Sequence, residues 1–277
     1  MSDTQRQSGS TVHKDVVLVG CGAMARFVLR GVAGDPAIRI SKVLVRPESL
    51  AVARGLLPSG TAAITSLDEL QVAPDLLLEL ASHAAVAAII PQALERGFRV
   101  VIASTGALAD DRLREQVIRS ACRGGTQLGL LPGAIGALDV LSAHREAGLE
   151  SVLYTGTKQP TAWRNTPAAD RLDLGRIESP VTIFAGTARD AALLYPRNAN
   201  VAATLALAGM GFDLTRVRLV ADPGASASIH RIEATSAAGR FSVELASEPL
   251  PDNPRTSAVT AYSALRLLRN LVEPLCL

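Results

Sequence analysis

The chain has 277 residues, of which 48% are hydrophobic and 19% are charged, and this composition excludes an intrinsically disordered protein. A formal net charge of +2, carried by scattered basic residues, gives no reason to expect nucleic acid or an anionic membrane as a partner. Three cysteines without CxxC spacing argue against a disulfide framework or a metal site, and they favour a reducing cytoplasm.

The amino-terminal segment 1–14 is polar and is predicted to be a flexible tail, because it lacks the apolar core of a signal peptide. No apolar run along the chain reaches the length of about 18 residues that a membrane-spanning helix needs. The sequence therefore predicts a soluble protein.

Residues 15–136 alternate short apolar runs with helical segments. The predicted strands are 15–20, 40–46, 62–66, 75–81, 98–105 and 126–133, and the predicted helices are 23–34, 84–97 and 110–122. Continuous apolar runs such as DVVLVG (15–20) are typical of strands that are buried on both faces. We therefore expect an α/β fold, a Rossmann-type doubly wound parallel sheet covered by helices on both faces.

After residue 136 the pattern changes. Strands are predicted at 151–158, 180–186, 216–222, 228–235 and 240–247, and a helix is predicted at 198–209 with Asn198 as its N-cap. Several of these strands alternate in polarity, which indicates a sheet with one solvated face. We expect 137–253 to form a second, α+β domain on a mixed, largely antiparallel sheet, and a C-terminal helix within 254–277 to complete the first domain.

The segment VVLVGCGAMA (16–25) places a glycine turn between a predicted strand and a predicted helix. In this GxGxx(G/A) frame Gly20 permits a tight turn, Gly22 lets the backbone approach a pyrophosphate, and Ala25 keeps helix and strand close. Ala23 and Met24 begin the helix, whose free N–H groups attract phosphate. An ordinary tight turn is the alternative, but the strand–helix–strand context favours dinucleotide binding.

Arg46 occupies the end of the second predicted strand, where an acidic residue would hold the ribose 2′-hydroxyl of NAD. A guanidinium suits the 2′-phosphate of NADP, so the sequence suggests NADP or dual use. A solvated arginine without any role in cofactor choice is an equally acceptable interpretation.

Small and hydroxyl side chains follow the fourth and fifth predicted strands, whose ends face the cofactor crevice in this fold. The candidates for cofactor contact are Ser82, His83, Ser104 and Thr105. Ordinary turn and N-cap chemistry explains any one of them equally well.

The segments LLPGAIGALD (130–139), YPRNANVAATLALAG (195–209) and ADPGASASIHRIEA (221–234) resemble the L-aspartate dehydrogenase family, and the resemblance spans nearly the whole chain. It implies a Rossmann domain with a catalytic domain shaped like dihydrodipicolinate reductase, in a homodimer. The implied reaction oxidises L-aspartate with NAD or NADP, through iminosuccinate, to oxaloacetate and ammonia, and the imine can feed quinolinate synthesis. The family's active-site histidine falls on His230, and its nicotinamide contacts fall on Ala134 and Asn200.

His230 is also a candidate base on chemical grounds, because imidazole ordinarily titrates near neutral pH. On strand spacing alone, a histidine beside Ile232 and Ala234 is more often a hydrogen-bonded structural residue. A dicarboxylate substrate also needs cations, for which Lys158 and Arg189 are candidates near predicted strand ends.

Three alternatives remain open at this stage. Trp163 either walls the pocket or packs a loop. The enzyme could act on another small amino acid or imine, such as homoserine or a dihydrodipicolinate-like compound. A non-catalytic dinucleotide sensor is a more distant possibility, since it gives no reason for a histidine and cations to converge on a cleft.

Overall fold

The computed structural model describes residues 13–196, 200–250 and 253–276. Most of the predicted tail and the predicted N-cap Asn198 therefore lie outside the described residues. Lys14, the last residue assigned to the tail, already belongs to the first strand, where it pairs with Ile38 and hydrogen-bonds Asp75.

The first sheet is parallel throughout, with the strand order β3-β2-β1-β4-β5-β6. Its strands are β1 (Lys14–Val19), β2 (Ile38–Leu44), β3 (Ala62–Ile64), β4 (Leu76–Glu79), β5 (Val100–Ile102) and β6 (Leu128–Leu130). Its helices are α1 (Ala23–Gly31), α2 (Leu50–Leu56), α3 (His83–Glu95) and α4 (Asp111–Gly124). The order reverses between β1 and β4, which opens the crevice where doubly wound sheets bind ligands.

Strand β1 is buried on both faces, as its apolar run predicts. Val16 and Leu18 belong to one apolar cluster, and Val17 and Val19 belong to another on the opposite face of the sheet. The predicted Rossmann-type sheet is confirmed.

The second sheet has the order β11-β10-β7-β9-β8, and within it only the β7–β9 pair is parallel among the described residues. Its strands are β7 (Leu149–Lys158), β8 (Val181–Thr187), β9 (Arg216–Ala221), β10 (Ser228–Ser236) and β11 (Gly239–Ser247). The helices α5 (Leu138–Glu146), α6 (Ala188–Leu194) and α7 (Asn200–Ala208) accompany it. The predicted mixed, largely antiparallel sheet is confirmed.

The chain then returns to the first domain. A short hairpin, β12 (Pro249–Leu250) and β13 (Asn253–Ser257), leads into the last helix, α8 (Ala258–Arg269). Helix α8 packs on α1, where the rings of Phe27 and Tyr262 meet edge to face with centroids 5.1 Å apart. The contact is close, since a Cβ on Gly31 would lie 2.6 Å from the Leu265 side chain.

A seam of small residues joins the two domains. Ala202 and Ala203 of α7 belong to the same apolar cluster as Ala107 and Leu108, which follow β5. Fully buried Thr105 bonds across the seam, because its hydroxyl donates to the Asn200 carbonyl oxygen at 2.9 Å. The seam therefore fixes the amino end of α7 next to the carboxyl end of β5.

Candidate active site

A cleft of about 680 Å³ lies between the two domains. One wall is formed by the loops at the carboxyl ends of β1, β4, β5 and β6, and the other by β7, β10, the start of α7 and the hairpin before α8. The predicted site residues that line it are Gly22, Ala23, Met24, Ser104, Ala134, Lys158, Asn200 and His230. The cleft thus brings together residues that lie more than 200 positions apart in the chain.

The glycine turn after β1 has the geometry that a dinucleotide requires. Gly20 has φ +97°, a left-handed conformation that favours glycine, and a Cβ there would lie 2.7 Å from the Ala81 Cβ. Nothing lies within 4 Å of the position that a Cβ on Gly22 would take, so the backbone is open to the cleft. Ala25 is fully buried beneath the turn and lets α1 approach the sheet.

The first turn of α1 is free to receive an anion. Gly22 is its N-cap, no side chain caps it, and the turn contains no acidic residue. Unpaired N–H groups and the helix dipole attract negative charge at such a position. These observations fit the pyrophosphate of a nicotinamide dinucleotide.

Arg46 lies just beyond β2, on the surface. Its side chain is 79% exposed and forms an ion pair with Glu48 at 3.1 Å. Arg46 does not line the cleft. The argument that it selects the cofactor therefore depends only on its position after β2, where this fold contacts the ribose 2′ group.

The buried carboxylate of Glu79 fixes the loops that follow β4 and β5, which form part of the cleft wall. It accepts hydrogen bonds from the Ala81 N–H at 2.7 Å and from the Ser104 N–H and hydroxyl at 2.9 Å each. Burial raises the pKa of Glu79, and these three donors oppose that effect. Ser104 thus lines the cleft with its hydroxyl committed to Glu79, whereas Ser82 caps α3 through the Ala85 N–H.

Asn200 is held in one orientation at the start of α7. Its Oδ1 accepts from the Gly106 N–H at 3.1 Å and lies 3.1 Å from His83 Nε2, so His83 donates to it. Both bonds use Oδ1, so the NH₂ group of Asn200 remains available as a donor. The predicted cofactor residues His83 and Thr105 do not line the cleft, and both act on it by fixing Asn200.

His230 is only 4% exposed, yet it lines the cleft. Its Nδ1 lies 2.8 Å from the hydroxyl of buried Tyr154, which leaves Nε2 as the nitrogen on the cleft side. Burial, with a smaller contribution from the charge of Lys158, lowers the pKa of His230 to about 4. The imidazole is therefore neutral at physiological pH, and the near-neutral pKa expected from the residue type does not hold in this environment.

Lys158 ends β7 on the same side of the sheet and also lines the cleft. Burial lowers its pKa to about 8. Its Nζ lies 5.9 Å from the centre of the Trp163 ring, within cation–π range. Trp163 itself is fully buried and donates to the Val220 carbonyl at 3.2 Å, so it packs the loop rather than walling the pocket.

The loop that Trp163 anchors contributes residues that the sequence did not single out. Arg164, Asn165 and Thr166 all line the cleft, and Asn165 has φ +60°. Arg164 is exposed and has no acidic partner within 4.0 Å among the described residues. The only signal in the sequence was the Trp-Arg pair itself, a buried anchor followed by a cation.

Arg189 lies elsewhere, and the prediction that it binds substrate is not supported by its position. Its guanidinium makes two bonds to Asp213, at 2.5 and 2.8 Å, and further bonds to Asp111 and to the Ala109 carbonyl. These contacts occupy the guanidinium and tie α6 to the start of α4, to the residue Ala109 just before it, and to the loop after α7. The sequence correctly placed Arg189 near the end of a strand. It could not show that acidic residues distant in sequence would pair with this arginine in the fold.

Within the described residues no three His, Cys, Asp or Glu side chains come together as a metal site. No helix in that part of the chain is both long enough and apolar enough to cross a membrane.

Two family models match the chain. The NAD-binding domain of homoserine dehydrogenase matches residues 20–130, and the C-terminal domain of aspartate dehydrogenase matches residues 139–271. L-Aspartate dehydrogenases from Cupriavidus taiwanensis and Pseudomonas aeruginosa are 47% and 46% identical to this chain, over 92% of it and 96% and 97% of their own lengths.

Two solved structures are also similar to this chain over nearly its whole length. Aspartate dehydrogenase from Thermotoga maritima has a TM-score of 0.73 at 27% identity, covering 96% of this chain and 99% of its own. A dipicolinate-bound dihydrodipicolinate reductase from Paenisporosarcina sp. TG-14 has a TM-score of 0.52 at 15% identity, covering 94% of each chain, and shares the fold.

The parallel sheet and the open glycine turn at its crossover place the protein among the nicotinamide-dependent oxidoreductases. The second domain points to one family within that class, because residues 139–271 match the C-terminal domain of aspartate dehydrogenase. The chain belongs to the L-aspartate dehydrogenase family.

Proposed function

We propose that the protein oxidises L-aspartate with NAD or NADP to iminosuccinate, which water converts to oxaloacetate and ammonia, and that it also runs the reverse amination. The observation that carries this proposal is the cleft itself, which is lined by a neutral histidine, a half-buried lysine and an open dinucleotide turn. A dinucleotide bound there supplies a hydride acceptor for the Cα of an amino acid.

The cofactor is held by the first domain. In this proposal Gly20 and Gly22 shape the turn, and the N–H groups of Ala23, Met24 and Ala25 at the start of α1 receive the pyrophosphate. The Asn200 amide and the Ala134 backbone, which both line the cleft, orient the nicotinamide end. The small side chains at Ala81 and Ala103 leave room for this approach.

The second domain holds the substrate. L-Aspartate carries two carboxylates, and two cationic side chains of this domain, Lys158 and Arg164, line the cleft. We assign Lys158, which lies beside His230, to the carboxylate nearer the reacting carbon, and Arg164 to the distal one. A guanidinium can hold a carboxylate bidentately, which selects a dicarboxylate over alanine.

His230 acts as the proton acceptor in this proposal. Hydride leaves Cα only when the substrate nitrogen carries a lone pair, so the ammonium must first lose a proton, and Nε2 accepts it. The carboxylates of the substrate raise the pKa of His230, because negative charge favours the imidazolium. Once Nε2 has released that proton to solvent, it can accept a proton from the water that attacks the imine carbon.

The activity is tested by following NAD(P)H absorbance with L-aspartate, glutamate, alanine and homoserine, each with NAD and with NADP. We expect turnover with aspartate that exceeds turnover with the other three by at least about 100-fold in kcat/KM. A preference for homoserine would favour the alternative substrate, and cofactor binding without any turnover would favour a sensor.

We propose that the protein can use NADP, because the Arg46 guanidinium could bind its 2′-phosphate. Changing Arg46 to Asp should raise the KM for NADP by about 10- to 100-fold and leave the KM for NAD unchanged or lower, because the 2′-phosphate loses a charge-assisted bond. Glu48→Gln should act in the opposite direction on NADP, since it removes the anion that pairs with Arg46. Arg39→Asp, at the other end of β2, is the control. Equal KM values for NADP in wild type and Arg46→Asp would remove Arg46 from cofactor selection.

We also propose a homodimer in the cytoplasm. The outer face of the second sheet carries partly exposed side chains such as Leu153 and Ile229, and an open sheet of this kind is best covered by a second copy. Cys21, Cys122 and Cys276 are free thiols, which suits a reducing compartment. Sedimentation equilibrium should give twice the chain mass.

A further inference from the structure

A buried tyrosine lies directly behind the candidate catalytic histidine. Tyr154 is 1% exposed, and its hydroxyl is 2.8 Å from His230 Nδ1, with the two rings nearly parallel at 14°. Among the described residues, this nitrogen is the only hydrogen-bond partner that the hydroxyl has. The Tyr154 hydroxyl is therefore positioned by, and acts on, His230 alone among these residues.

The strand register creates the space for this contact. Gly156 of β7 lies opposite His230 of β10, and Tyr154 lies opposite Ile232 one step along the same face. The tyrosine ring extends over Gly156, so a Cβ at that position would lie 2.6 Å from the hydroxyl oxygen. A side chain at position 156 and a tyrosine hydroxyl on His230 are therefore mutually exclusive.

The type of partner matters chemically. A carboxylate at Nδ1 would favour the imidazolium and raise its pKa, whereas a phenol adds no charge. Burial raises the pKa of Tyr154 further above its usual value, so the hydroxyl keeps its proton. A phenol and a neutral imidazole can pair in either direction; in the direction that a proton-accepting Nε2 requires, the Tyr154 oxygen accepts from Nδ1–H and the ring carries its lone pair on Nε2.

We propose that Tyr154 is the positioning residue of His230: its oxygen accepts from Nδ1–H, orients the ring and leaves the lone pair of Nε2 facing the substrate, in the space that Gly156 provides. This assignment rests on the proposed role of His230 as the proton acceptor. Because the tyrosine hydroxyl is uncharged, it does not favour the imidazolium form of His230. The imidazole therefore stays neutral until a substrate carboxylate binds.

The first test uses ¹⁵N-histidine NMR of the cofactor-free protein, which has only four histidines. His230 should carry its proton on Nδ1 in the wild type. In Tyr154→Phe it should move toward the Nε2–H tautomer that free imidazole favours. Gly156→Ala should give the same change with the tyrosine still present. A lone pair on Nδ1 in the wild type, or an unchanged spectrum in both variants, would overturn the proposal whether or not aspartate is the substrate.

The second test is kinetic. Tyr154→Phe and Gly156→Ala should each lower kcat by about 10- to 100-fold and keep the KM for aspartate within about threefold, because the ring loses its orientation while the substrate ligands remain.

Two matched variants control for packing. Tyr195→Phe removes another buried hydroxyl, and Gly186→Ala introduces a Cβ 2.7 Å from the Phe184 ring, where no histidine is involved. Both controls should retain kcat. Equal losses in test and control variants would mean that the sheet tolerates no change, and the positioning role would be rejected.

Discussion

Replacing His230 by alanine is expected to lower kcat by about 100- to 10,000-fold, the usual contribution of a general acid–base group. The variant should fold and bind the dinucleotide, because the glycine turn and α1 lie in the other domain. In the wild type, burial and the charge of Lys158 hold the pKa of His230 at about 4, so kcat/KM should fall as the pH drops through that value. The variant should lack this dependence.

The matched control is His144→Ala, because His144 also lies in the second domain and hydrogen-bonds a buried group, Ser236, at 2.8 Å. It should keep wild-type kcat. Steady-state kinetics from pH 3.5 to 8, with fluorescence titration of the dinucleotide, measure both effects. Turnover in His230→Ala within a few-fold of the wild type would exclude this histidine as the proton acceptor.

Lys158→Met is expected to raise the KM for aspartate by about 10- to 100-fold, because the substrate loses one charge-assisted bond. The same change should stabilise the protein at pH 7, by up to about 3 kcal/mol, since a partly desolvated ammonium is removed. Burial lowers the pKa of Lys158 from 10.5 to about 8. The free energy of unfolding of the wild type should therefore decrease as the pH falls from about 10.5 to 8, and that of the variant should not.

Urea denaturation between pH 7 and 10.5 tests the stability effect, and initial rates against aspartate concentration test the binding effect. Lys42→Met is the control, since Lys42 lies on β2 and donates to the Glu69 carbonyl away from the cleft. A variant that is less stable than the wild type at pH 7, with an unchanged KM, would contradict both roles.

Strands β1, β4 and β5 of the first domain were predictable because each is buried on both faces and appears as a continuous apolar run. Helices α2, α5 and α6 were not predicted. With seven residues each, α2 and α6 give too few turns for a periodic pattern, and α5, although as long as α1, begins after Ala137, which offers no capping side chain. For α6 a signal was present in the capping box of Thr187 and Asp190, whose side chains each bond the other's backbone N–H.

The candidate site was predictable only in part. The glycine turn is a local pattern and was found from the sequence. The Tyr154–His230 contact depends on which residues of β7 and β10 lie opposite each other, and these strands are separated by two others in the chain. Arg164 lies in a loop without periodicity, and Arg189 looked suitable until its long-range partners Asp111 and Asp213 were known.

The alanine seam between α7 and the segment after β5 has a consequence for protein engineering. Since Ala202 and Ala203 share a core with Ala107 and Leu108, neither half is a self-contained module. Swapping in a foreign nucleotide-binding half would leave this alanine surface facing mismatched side chains. New cofactor chemistry is therefore better introduced by point changes than by recombining whole domains.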